Sequence, residues 1–138
     1  MSDVKTFWSK KINPTSLSAP KTILRKHATE LGQLTKNIVE ANVNTTLQVD
    51  DAEGFANSPT YLHCFDILSP GLGFKSFTLF CVQQSLISDF PLRFYSNYWD
   101  KKEWCKCDNL MQFNKCLEEI LSSEKTAKLI NSIIAQSA

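Results

Sequence analysis

The chain is poor in the features that mark a nucleotide-binding enzyme, a membrane protein or a disulfide scaffold. Its 138 residues contain four glycines. The single G-x-G, Gly71-Leu72-Gly73, follows Pro70 in a turn rather than opening a helix, and no GxxxxGK[ST] occurs, so neither phosphate-cradling loop is present. No run approaches the roughly 20 apolar residues that span a bilayer, which predicts no membrane partner. The opening residues MSDVKTFWSKKINPTS lack an apolar stretch of signal-peptide length. Five cysteines is an odd number, in no spacing that resembles a disulfide framework. Together these predict reduced thiols and a cytoplasmic location.

Charge of one sign is also lacking. The formal net charge is +1, but it is unevenly distributed. Residues 1–38 carry a net +5, residues 39–90 a net −5 and residues 91–138 a net +1. A nucleic-acid binder normally presents a continuous basic excess. Here the basic segment can neutralise the acidic one within the fold, so no nucleic-acid partner is expected.

What is present is enough for one domain. Hydrophobic residues make up 43% and charged residues 21%, the balance of a globular chain. A chain of this length buries enough surface to fold without a metal. Residues 1–19 read as an N-terminal arm, broken by Pro14 and flanked by Pro20, with Phe7 and Trp8 as its apolar anchors. These aromatics either lie on the body of the domain or form a docking peptide. Residues 20–138 read as a single α+β domain.

Its first helix has Ser18 as a possible cap and Pro20 in its first turn. Leu24, Ala28 and Leu31 recur at helical spacing, and Asn37 suits a left-handed exit. Val39, Ala41, Val43, Thr45, Leu47 and Val49 then alternate with polar residues, the signature of a strand with one wet face. Further strands are predicted at about 60–68, 75–83 and 91–96. A type II turn is expected around Ser69-Pro70-Gly71-Leu72-Gly73. These connections are too short for crossover helices, so the four strands form an antiparallel meander. Residues 97–107 read as a polar-aromatic connector. One or two helices then follow between 109 and 136, with Ser122-Ser123 offering a break and a fresh N-cap before Glu124. Terminal helices on the same face of the sheet give a two-layer sandwich.

That layering predicts a spare sheet face. By strict alternation, Leu62, Cys64 and Leu68 share it with Phe80 and Val82. An uncovered apolar sheet face is a binding or self-association surface, unless the arm or the connector folds over it. The predicted partner-binding residues are therefore Leu62, Phe80, Val82, Tyr98, Trp99 and Trp104, the last three because Tyr and Trp favour interfaces.

No spacing supports a catalytic site. His63 and Cys64 are adjacent and so point to opposite faces of a strand. Nothing local to Cys64 or Cys81 supplies a cation that would lower a thiol pKa, so both read as buried and inert. Cys105-x-Cys107 with Cys116 and a histidine is a conceivable zinc set but lacks paired C-x₂₋₄-C units. Asp51-x-Glu53-Gly54 departs from the calcium loop. No metal or other cofactor is predicted.

The expected function is a non-catalytic protein-binding module of the adaptor, chaperone or immunity type, able to pair as a homodimer. The alternative is a small-molecule binder or enzyme. Its pocket would lie between sheet and helices and use His63 with Tyr61, Asp66 or Arg93, although His63 and Asp66 differ in strand parity.

Overall fold

The computed structural model describes residues 6–11, 19–48, 59–73, 75–96 and 105–137. Within them the chain is an α+β sandwich. Helix α1 (Pro20–Leu34) is followed by strands β1 (Glu40–Gln48), β2 (Thr60–Leu68), β3 (Ser76–Ser85), β4 (Leu92–Tyr95) and β5 (Cys105–Cys107), then α2 (Leu110–Leu121) and α3 (Glu124–Ser137). The five strands are antiparallel and lie in chain order. The fifth strand, Cys105–Cys107, forms within the stretch predicted as a connector. At three residues it is too short to show a period of its own.

Local chemistry accounts for the element ends. Pro20 opens α1, where its missing N–H costs nothing; Ser18 lies outside the described residues. Lys36 and Asn37 leave α1 at φ values of 55° and 64°, and the Asn37 amide donates to Gly32 O at 2.7 Å. Asn109, not Asp108, caps α2 by accepting from the Gln112 amide at 2.9 Å. The Gln112 side chain returns the bond to the Asp108 amide at 2.7 Å. The Ser pair does divide the last helices, and Ser123 Oγ caps α3 through the Thr126 amide at 3.1 Å.

Between β2 and β3 the chain makes a short 3₁₀ turn at Pro70–Leu72 rather than the predicted type II turn. Gly73 leaves it at φ 78°, a conformation that suits glycine. The C-terminal end of α3 docks on this turn. Ser137 Oγ lies 2.6 Å from Ser69 Oγ, and a Cβ at Gly71 would stand 3.2 Å from Ser137 O.

One hydrophobic core lies between the sheet and the helices. Leu24 and Ala28 enter it from α1, and Phe113, Cys116, Leu117 and Ile120 enter from α2. Leu129, Ile130, Ile133 and Ile134 of α3 pack against it. Its centre is a row of stacked rings across three strands. Phe65 and Phe80 are 5.0 Å apart, Phe80 and Phe94 4.9 Å, and Phe94 meets Phe113 of α2 at 5.7 Å.

The placement of Phe80 and Val82 corrects strict alternation. Pairing from the turn runs Leu68–Ser76, Ile67–Phe77 and Asp66–Thr78, then resumes at Phe65–Phe80. Leu79 is the extra residue of a β-bulge. Past a bulge every side chain changes face relative to simple counting. Phe80 and Val82 therefore point at the helices and are 1% and 0% exposed. They are core residues, not members of a spare face.

The same slip places Cys81 directly opposite Cys64, Cα to Cα 4.1 Å, and the two form a disulfide. This corrects the expectation of unpaired thiols at both positions. The ground for a cytoplasmic location weakens with it, because structural disulfides persist in oxidising surroundings. No helix among the described residues is long and apolar enough to cross a membrane.

Candidate functional site

The sheet face turned away from the helices is hydrophilic among the described residues. Asn42, Asn44 and Thr46 of β1 are exposed on it. Asp66 accepts from Asn44 Nδ2 through one carboxylate oxygen, and from Thr78 Oγ1 at 2.6 Å through the other. Gln83 Nε2 donates to Gln48 Oε1 and Thr60 Oγ1, both at 3.1 Å. Leu62 sits among these groups, half-buried. An apolar sheet face that would call for a partner is therefore not found there. Tyr98, Trp99 and Trp104 lie outside the described residues. Phe7 and Trp8 are 95% and 79% exposed, so the body of the domain does not bury them.

The four residues of the pocket alternative are divided between the two faces. Arg93 pairs with Gln83 and Asp66 with Thr78, which puts both on the hydrophilic face. Tyr61 and His63 are on the helix face, stacked 5.8 Å apart. His63 is 3% exposed and satisfied at both nitrogens. Its Nδ1 lies 2.8 Å from Thr45 Oγ1, and its Nε2 lies 2.8 Å from Gln84 Oε1. The Gln84 oxygen can only accept, so Nε2 carries the proton and the Thr45 hydroxyl donates to Nδ1. Burial pushes the His63 pKa down; the Gln84 bond opposes this and Lys21 adds to it. His63 is thus a neutral, structural histidine. Cys81 cannot be its partner, being on the other face and in a disulfide.

A cleft does lie between sheet and helices, but elsewhere. Helix α1 packs on β1, α2 packs against β5 and α3 runs back to the β2–β3 turn. Between them remains a cavity of about 770 Å³. Its floor is Phe65, Ile67 and Leu79. Leu31 and Leu34 form one wall, and Leu117, Leu121, Ala127 and Ile130 form the other. Polar groups collect at its edge: His27, Glu30, Asn114, Glu118 and Asn131. His27 Nδ1 is 3.4 Å from Glu30.

The hydroxyls in this cleft are already engaged. Ser122 Oγ donates to Glu118 O, and Thr126 Oγ1 donates to Ile120 O at 2.7 Å. A hydroxyl held by a backbone carbonyl is not activated as a nucleophile.

The cleft residues were legible only as helix stripes. Leu31, Leu117, Leu121 and Ile130 have the spacing of core positions, and nothing in that spacing says that two stripes stand apart. One signal was available: α1 keeps an apolar residue, Leu34, one turn beyond what its packing uses, and Leu34 is 82% exposed.

Cys105, Cys107 and Cys116 also come together. The Cys116 sulfur is 3.7 Å from that of Cys105 and 3.5 Å from that of Cys107. No histidine joins them, and among the described residues no group of three or more His, Cys, Asp or Glu is arranged to hold a metal ion. Burial is the main cause that raises the thiol pKa of both Cys107 and Cys116.

No protein-family model, no curated protein and no solved structure matches the chain.

Proposed function

We propose that this protein acts by binding and without a chemical step, and that its site is the cleft between α1 and the α2–α3 pair. The occupant is a small, largely apolar molecule with a hydrogen-bond-donating or cationic end. The observation that carries this is the cleft itself, about 770 Å³ with an apolar floor and a polar edge. Small-molecule sites span roughly 300–1,000 Å³ and combine apolar walls with a few placed polar groups. The edge carries the carboxylates of Glu30 and Glu118, which favour a donor and disfavour phosphate or nucleic acid.

The test is titration with the neutral dye phenylnaphthylamine. Saturable binding is expected, with displacement by a long-chain alkylamine in preference to the fatty acid of equal length. Ala127 is an exposed wall residue. Ala127→Trp should fill the cleft and weaken the dye about tenfold or more, as a lost apolar site would, with the melting temperature unchanged. Undiminished binding by that variant would remove the cleft from the proposal.

A protein partner is the second reading, and Leu34 favours it. Its exposed side chain extends the apolar surface beyond the cleft, as a groove for an amphipathic helix requires. The two readings separate at Leu34→Lys. The small-molecule site keeps its dye affinity in that variant. A helix groove loses a large share of its contact, and a dye affinity that falls with Leu34→Lys moves the preference to a protein partner.

A further inference from the structure

We propose that Cys105, Cys107 and Cys116 form a thiol relay. A disulfide enters at Cys105, passes to Cys116 and comes to rest between Cys107 and Cys116, tying β5 to α2. This is independent of the cleft.

The arrangement carries it. Cys105 and Cys107 are two apart on β5 and so share the helix-facing side, about 6.6 Å apart along the strand. Cys116 reaches them from α2, with its sulfur 3.7 Å from one and 3.5 Å from the other. It therefore has two partners within a small movement of bonding distance. Access is graded: Cys105 is partly exposed, while Cys107 and Cys116 are buried. Burial keeps the inner two protonated and so slow to react with an outside oxidant, leaving Cys105 as the entry. The other two cysteines do not compete, since Cys64 and Cys81 are bonded to each other. Surroundings that preserve that bond also hold low-molecular-weight disulfides.

With glutathione disulfide as the oxidant, the steps balance. Cys105 loses its proton and attacks one glutathione sulfur. The glutathione S–S bond breaks, the first glutathione leaves as a thiolate and takes up a proton, and Cys105 carries a mixed disulfide. Cys116 then loses its proton and attacks the Cys105 sulfur, expelling the second glutathione, which is protonated. Last, Cys107 loses its proton and attacks the Cys116 sulfur. The Cys105–Cys116 bond breaks and Cys105 recovers a proton. Two cysteine thiols are oxidised, one glutathione disulfide is reduced to two thiols, and Cys105 is regenerated. The final bond joins the two buried sulfurs, where a reductant has least access.

The experiment treats the whole chain with excess glutathione disulfide under native conditions, followed by acid quench, alkylation and peptide mapping by mass spectrometry. Besides Cys64–Cys81, a Cys107–Cys116 disulfide is expected, with Cys105 either alkylated or glutathionylated. Cys105→Ser should form the same bond about tenfold or more slowly, because entry is then limited to buried thiols. Cys107→Ser should stop at Cys105–Cys116. A lasting glutathione adduct on Cys105 with Cys107 and Cys116 both free would overturn the relay. So would a Cys105→Ser variant that oxidises at the wild-type rate. The wild-type map needs no variant, so its outcome does not depend on how either substitution folds.

Discussion

The two faces of the sheet are built from alternate residues of the same strands, yet they are held together by different forces. On the helix side, Phe65, Phe80, Phe94 and Phe113 stack in a continuous row and are all essentially inaccessible. On the other side, Asp66 and Gln83 collect hydrogen bonds from Asn44, Thr78, Gln48 and Thr60. The first face gains stability in proportion to the apolar area removed from water. The second gains little net free energy per bond but would lose much if a member were left unpaired. A strand can therefore carry buried residues on both faces without both faces being apolar. The hydrophilic face satisfies itself, and no covering layer follows from its burial.

Three substitutions press on this contrast, in descending order of expected effect. Phe80→Ala removes the central ring of the row and should cost about 3–5 kcal/mol in a urea titration. A cost below about 1 kcal/mol would mean that Phe80 is not in the core. His63→Ala strips Thr45 and Gln84 of their common partner and should cost about 1–3 kcal/mol at neutral pH.

His63 also makes a pH prediction. Its pKa is lowered in the folded protein from the ordinary 6.5. Above that pH the residue is neutral in both states. Below it the unfolded chain takes up a proton that the fold resists, so the stability present above 6.5 is lost as pH falls towards the folded value. His63→Ala should flatten that slope, and an unchanged slope would assign it to other groups. The smallest effect is expected from Leu62→Lys, in the middle of the hydrophilic face, at about 1 kcal/mol or less. Sedimentation velocity should be unchanged. A large loss, or a shift in sedimentation, would mean that this face is buried against another chain.

Much of the fold was legible in the chain. The alternation of Val39 to Val49 marked β1, although the structure shows it only from Glu40 to Gln48. Pro20 and the Ser122-Ser123 pair set two helix ends, because proline and serine act through bonds within a turn of themselves. The candidate site was much less legible. Tyr61, His63, Asp66 and Arg93 were drawn together by chemistry alone, and cross-strand register separates them. The cleft depends on how far apart two helices lie over a sheet, which no stripe of leucines encodes.

Residue order alone determined the element types, the meander and the two-layer class, since periodicity and turn chemistry are local. The tertiary structure decided the faces. One unpaired residue, Leu79, shifts the β2–β3 register by a single position. That step turns Phe80 and Val82 into the core and sets Cys81 against Cys64. A bulge costs the local pattern almost nothing, so it leaves little trace there. It is selected because only the slipped register buries the phenylalanine row beneath the helices.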